Sequence, residues 1–170
     1  MDALTALRNK RDTRSYTTDA VDDEVLGRVL DAARMAGSAK NVQPVRLVVT
    51  TDSAAKVALK DSGDFASWID LAPVVIVVTV AGDAGPRRMF DVGRHAQNLM
   101  VAAFAEGLAT CPVTIHHADV ARSVLGIPAE VEPAMIVTLG WPAAGGEAPP
   151  QIAGPRIDMS SYVNHGSWSA

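Results

Sequence analysis

Val74-Val75-Ile76-Val77-Val78-Thr79-Val80 is the stretch on which the fold turns. It is β-branched throughout and lacks polar alternation apart from Thr79. That pattern predicts a central strand buried on both faces, with helices covering each side. Toward the C-terminus, residues 88–106 form the longest predicted helix. Met89, Val92, Ala96, Leu99, Met100, Ala103 and Phe104 give it a wide apolar stripe, Ala102 and Ala105 extend the small-residue surface, and Gly107 ends it. A helix this apolar is either central to the protomer or packed on a second subunit. Toward the N-terminus, Arg46–Thr50 reads as a strand. Asp52 or Ser53 caps a helix running to about Asp61, with Gly63 as its stop. Leu4 and Leu7 mark a short first helix. Val25, Leu26, Val29, Leu30 and Ala33 recur at helical spacing over Glu24–Ala36, with Asp22 or Asp23 at the start and Gly37 at the end. Ala109–Thr114 is a short strand, Asp119–Leu125 a helix stopped by Gly126, and Ala134–Leu139 a strand closed by Gly140-Trp141-Pro142. Ala143–Pro155 reads as an extended Pro/Gly-rich linker. Strands separated by helices predict a three-layer α/β or α+β sandwich.

The chain has 170 residues, which fits one domain, and 48% of them are hydrophobic. Aromatic residues make up only 5%, so the core must be built from Ala, Val, Leu and Ile. A net charge of -4 argues against a broad nucleic-acid surface. The single cysteine, Cys111, rules out an internal disulfide and most cysteine-based metal sites. The first residues lack a signal-peptide pattern, and the apolar run from Ala72 to Ala81 is about half of a membrane span. A soluble cytoplasmic protein without a membrane partner is expected.

No Gly-x-Gly-x-x-Gly and no Walker glycine loop occurs, which excludes the common dinucleotide and nucleotide cradles. His116 and His117 point apart on a strand, and no acidic set completes a coordination sphere, so they read as surface-loop residues and no metal is expected. Cys111, before Pro112, reads as a small packed side chain. Asp70, Asp91 and Asp119 have no acid/base spacing, and no catalytic side chain is named.

The chemistry-bearing stretch is Lys10-Arg11-Asp12-Thr13-Arg14-Ser15-Tyr16, with three cations in five residues. Ser38-Ala39-Lys40-Asn41-Val42-Gln43-Pro44 precedes the first strand, and Gly154-Pro155-Arg156 lies in the tail. A fold that gathered the three would place phosphate-binding cations at one end of a pocket and amide side chains at the other. Flavin mononucleotide, FMN, needs that combination. The tail itself, with Ile157, Met159, Tyr162, Val163 and Trp168, cannot form a core alone and must lie on its own domain or on a partner.

These stretches, in this order, resemble the nitroreductase family of flavin enzymes. Lys10–Tyr16 looks like that family's Arg-Arg-Ser-x-Arg-x-Phe motif, and Ala36–Pro44 is similar to its Ala-Pro-Ser-x-x-Asn-x-Gln-Pro loop. Asp91-Val92-Gly93, Ala96-Gln97-Asn98-Leu99 and Glu106-Gly107-Leu108 look like its long central helix. Leu125-Gly126-Ile127-Pro128, the stretch from Ile136 to Pro142, and Arg156 complete the series. The resemblance implies an α+β three-layer sandwich with a mainly antiparallel central sheet. It also implies a homodimer with exchanged terminal segments and FMN at the subunit interface. It puts Lys10, Arg11, Asp12 and Arg156 near the phosphate and ribityl end, and Arg14 near the pyrimidine edge of the ring. Ser38, Asn41 and Gln43 fall along the ring and ribityl side, and Pro112, Val113 and Thr114 beneath the ring, with some contacts coming from the second subunit.

Three departures stand out. Asp12 replaces the usual Ser and is expected to pair with Arg11, Arg14 or a ribityl hydroxyl. Val45 replaces an aromatic residue, and the stretch from Thr50 to Val74 leaves little room for a helical lid. The expected activity is electron transfer from NAD(P)H through FMN to a small acceptor such as a nitroaromatic or quinone, by a ping-pong mechanism. Asp12 also resembles the flavin-destructase branch, and the missing lid would suit a flavin-storing protein. These are the two alternatives.

Overall fold

In the computed structural model, residues 1–82, 85–144 and 156–168 are described. The elements run α1 (Ala3–Asn9), α2 (Asp23–Arg34), β1 (Val45–Thr50), α3 (Ser53–Leu59), β2 (Val74–Ala81), α4 (Pro86–Ala105), β3 (Ala109–Val113), α5 (Ala118–Leu125), β4 (Val131–Gly140) and α6 (Met159–Tyr162). The four strands form one sheet in the order β1-β2-β4-β3, and every neighbouring pair is antiparallel.

β2 behaves as its sequence requires, with every residue from Val74 to Val80 buried. Val74, Ile76, Val78 and Val80 pack with α2 and α4 through Val29, Val92, Ala96, Leu99 and Ala103. Val75 and Val77 face the other way, onto Leu59, Ile69, Ala121 and Ile136. One strand therefore serves two cores, which makes the sandwich three layers deep. Prolines fall where a ladder tolerates them. Pro112 lies on the edge strand β3, and Pro133 lies where the β2–β4 register shifts.

Several boundaries differ from the sequence reading. α2 ends at Arg34, before Gly37, whose Cβ position lies 2.7 Å from the Arg94 guanidinium. The helix after Asp52 stops at Leu59 and continues as a 3-10 turn over Lys60–Ser62. The expected cap is present there, with the Asp52 carboxylate accepting from the Ala55 amide at 2.7 Å. Gly126 ends α5 in the left-handed region at φ 64°, as expected.

The largest revision concerns α4. Val92, Ala96, Leu99, Met100 and Ala103, which the sequence left either central to the protomer or packed on a second subunit, are all buried within the chain. Leu99 is a core residue here, because α4 lies across the sheet. The outward face is a different set: Phe90, Gly93, Gln97, Val101 and Ala105 are exposed or half-buried. In the described tail Ile157, Met159, Tyr162 and Trp168 are all exposed, while Val163 and Asn164 are half-buried. Most of the Ala143–Pro155 linker lies outside the described residues, as do Gly154 and Pro155. Among the described residues no helix is long and apolar enough to cross a membrane.

Candidate functional site

Lys10–Tyr16 runs beside the edge strand β3. The Thr13 amide donates to the Thr110 carbonyl at 3.1 Å, and Asp12 bridges Thr110 in parallel. The far end is fixed by Tyr16. Its hydroxyl donates to the Thr13 carbonyl at 2.8 Å and shares a 2.7 Å hydrogen bond with Thr138 Oγ1. Burial pushes the Tyr16 phenol well above its ordinary value, with the Thr138 hydrogen bond acting in the opposite direction. Tyr16 is thus a neutral anchor.

The charges in this corner are already sorted. Lys10 Nζ pairs with Asp12 and lies 3.4 Å from Met100 Sδ on α4. The sequence reading paired Asp12 with Arg11, Arg14 or a ribityl hydroxyl; the fold pairs it with Lys10, two residues away. This pairing balances the carboxylate that would otherwise repel a phosphate. Arg11 donates to the carbonyls of Arg8 and Lys10 at 2.7 and 2.8 Å. Arg14 lies over the Trp68 ring, 5.1 Å from its centroid, and near the Cys111 thiol. Burial pushes that thiol up, and Arg14 pulls it back. A thiol kept protonated in this way is a packing group, as its sequence context suggested.

Pro112, Val113 and Thr114 continue the same edge. Val113 is buried and Thr114 exposed. The Thr110 hydroxyl in this corner is buried and has no hydrogen-bond partner. Lys10, Arg11, Asp12, Arg14 and Pro112–Thr114 therefore form one corner of the molecule. Its chemistry is two uncancelled guanidinium groups, an ion pair and a strand edge. That donor set fits an anionic, planar ligand such as FMN.

The Ser38–Pro44 loop is organised by its backbone. Lys40, Asn41 and Gln43 have φ of 52°, 54° and 53°, a left-handed conformation unfavourable for residues other than glycine. Ser38 Oγ holds the loop closed by accepting from the Gln43 amide at 2.8 Å. Such strain persists where the surroundings over-determine it, most often at ligand-binding sites. The loop and the first turn of α4 line a cavity of about 550 Å³ that includes Lys40, Val42, Arg87 and Asp91.

Within one chain the two regions do not meet. The loop leads into β1 at one sheet edge, level with Val80, and the cation segment flanks β3 at the other, level with Val74. Three strand spacings and six residues of strand put them more than about 20 Å apart. α4 gives a similar separation, since its Arg88 end borders the loop cavity and its Met100 end meets Lys10; twelve residues of helix span about 18 Å. Arg156 is exposed and makes no ion pair among the described residues. His116 and His117 do lie in a loop, beside Asp64. No cluster of three potential metal ligands occurs among the described residues.

The sequence reading missed Trp68 and Phe65. Trp68 meets Arg14, and Phe65 is 75% exposed on the same turn. An unexplained pair of aromatics in a chain with so few was the available signal.

Comparison with known proteins gives a consistent picture. The family model described as Nitroreductase family matches residues 7–63 and 65–141. A Thermus thermophilus protein named NADH dehydrogenase is 30% identical over 183 residues, covering 86% of this chain and 89% of its own. The NADPH:FMN oxidoreductase of Vibrio harveyi, solved in complex with NAD+, superposes with a TM-score of 0.87 at 20% identity, covering 99% of this chain and 78% of its own. Nitroreductase A of Vibrio parahaemolyticus gives a TM-score of 0.87 at 21% identity, covering 100% and 78%.

Proposed function

The chain belongs to the nitroreductase family, and from that premise we propose that it passes electrons from NAD(P)H through FMN to a small acceptor of the nitroaromatic or quinone type. The observation that carries this reading is the corner at β3, where Arg11 and Arg14 stay uncancelled beside Pro112–Thr114 while Asp12 is neutralised by Lys10. FMN, when bound, supplies the two-electron relay, with donor and acceptor using the same ring face in turn.

The chain's own residues bind and orient. Lys10, Arg11 and Asp12, with Arg156 from a tail, meet the phosphate and ribityl end. Arg14 faces the pyrimidine edge, where its charge favours the reduced, anionic ring. Pro112, Val113 and Thr114 support the ring from below, and Ser38, Asn41 and Gln43 contribute amide and hydroxyl groups along its side. No single flavin spans the two corners of one protomer, so the Ser38–Gln43 loop comes from a second copy. Homodimer formation through the outer face of α4 supplies it. A two-fold axis near the middle of that helix lays the partner's loop end beside the Met100 end. Gly93 and Ala105 allow close approach, and Leu4, Leu7, Met35, Val42 and Phe90 are exposed apolar groups for such a contact to cover. The exposed tail finds its surface on the partner in the same way. The free Cys111 accords with a reducing, cytoplasmic location.

The test uses the purified protein. It should bind FMN in clear preference to riboflavin, which lacks the phosphate, and the yellow protein should bleach on NADH or NADPH and regain colour when a quinone is added. Equal affinity for the two flavins refutes the phosphate assignment. Loss of the flavin itself under oxygen points to destruction, and no bleaching points to storage.

A further inference from the structure

Arg14 is held by an aromatic face and not by a carboxylate among the described residues. Its guanidinium carbon lies 5.1 Å from the centroid of the Trp68 ring, and it has no carboxylate partner among the described residues. The difference matters physically. An ion pair would orient the guanidinium but cancel its charge and occupy its donors. An indole face orients the cation by its quadrupole and leaves both charge and donors available. We propose that Trp68 is the positioning residue of this site: it fixes the Arg14 guanidinium for the flavin's pyrimidine edge without neutralising it. This inference rests on the FMN reading above.

The indole is itself rigidly mounted. Its Nε1 donates to the Phe65 carbonyl at 3.0 Å, closing the turn on which it stands. Ala66 and Ile69, on either side, are fully buried against Leu59, Val75 and Ile136. The start of the turn is pinned to the strand end that follows β3. A Cβ on Gly63 would lie 2.6 Å from the Thr114 carbonyl, so the two backbones touch there. The Asp64 amide donates to His116 Nδ1 at 3.2 Å, and His117 Nε2 lies 3.1 Å from the Asp64 carboxylate. The short segment between α3 and β2, with no room for a helical lid, thus forms a braced turn that presents Trp68 to Arg14. The Cys111 thiol near Arg14, kept protonated by burial, adds no negative charge beside the guanidinium.

The test compares Trp68→Leu with Trp68→Phe. In the flavin-free protein, the Arg14 Nε–H resonance, assigned by its loss in Arg14→Lys, should be shifted upfield by the indole ring current. The shift should vanish in Trp68→Leu and be partly retained in Trp68→Phe. In the loaded protein, Trp68→Leu should weaken FMN binding about 2- to 5-fold, the size of one partly exposed cation–π contact. It should also lower the midpoint potential of the bound flavin, because a wandering Arg14 costs the anionic reduced ring more stabilisation than it costs the neutral oxidised ring. Trp68→Phe should restore much of both while leaving thermal stability near that of the wild type. A Trp68→Leu protein with wild-type affinity and potential overturns the inference alone. Equal losses in Leu and Phe variants overturn it too, because they indicate packing and not a π-face. A wild-type protein that takes up no FMN overturns the flavin reading and this inference with it.

Discussion

The Lys10–Tyr16 corner and the Ser38–Gln43 loop carry the two halves of the candidate site, and they are built in opposite ways. The first is wired by side chains: Lys10 to Asp12, Tyr16 to Thr138, Arg14 to Trp68. The second is shaped by its backbone, with three left-handed non-glycine residues and one serine clasp. A side-chain-wired corner presents its charges in a single chain. A strained loop presents amides in a fixed direction and gains from them only when something sits opposite. The distance between the two regions explains the division of labour, since in the proposed homodimer each would face the other across a two-fold axis.

The separation can be broken first at its spacer, α4. Leu99 is fully buried beneath that helix, so Leu99→Asp places an unpaired charge in the core at a cost of about 3–5 kcal/mol. Circular dichroism should show an unfolded or aggregated protein that binds no flavin. A folded monomer that has merely lost its partner would put Leu99 back at a subunit surface.

The next largest effect tests whether the halves come from different chains. Arg14→Glu disables one half, and Asn41→Ala with Gln43→Ala disables the other. Each variant alone should be colourless. Co-expressed, random pairing makes mixed dimers with one intact site each, recovering about a quarter of the FMN sites by two-fold symmetry. No recovery at all would mean that both halves act within one chain.

Tyr16→Phe sharpens the account of the first corner. Losing the hydroxyl's bonds to Thr13 and Thr138 should cost about 1–3 kcal/mol in urea unfolding at neutral pH. Because burial raises the phenol in the folded state, its contribution is complete below the unfolded tyrosine value of about 10 and is lost as pH climbs above it. The wild type should therefore lose stability through alkaline pH more steeply than the Phe variant. Parallel pH profiles would show that the hydroxyl is not buried as described.

Ser38→Ala should have the smallest effect, about 0.5–1.5 kcal/mol, confined to the loop. Hydrogen exchange at the Gln43 amide should accelerate while the melting temperature barely moves. Unchanged exchange would mean that the left-handed residues hold the loop without the clasp.

Local physics made much of this molecule readable in advance. The β-branched run at β2, the Asp52 cap, the Gly126 stop and the alternation of strands with helices gave element types and three layers, because burial on two faces and terminal hydrogen bonding are properties of short stretches. The cations of Lys10–Tyr16 and the polar Ser38–Gln43 loop were also visible as residue types. Tertiary structure alone decided the rest. Which face of α4 is core depended on how the helix crosses the sheet, and an apolar stripe looks the same against a sheet as against a partner. The Lys10 ammonium that pairs with Asp12 was brought within 3.4 Å of the Met100 sulfur on α4. Trp68 met Arg14 across a gap of more than fifty residues, which no periodicity encodes. The distance between the two corners was set by strand order, and strand order follows from long-range pairing that leaves no mark in any single stretch of sequence.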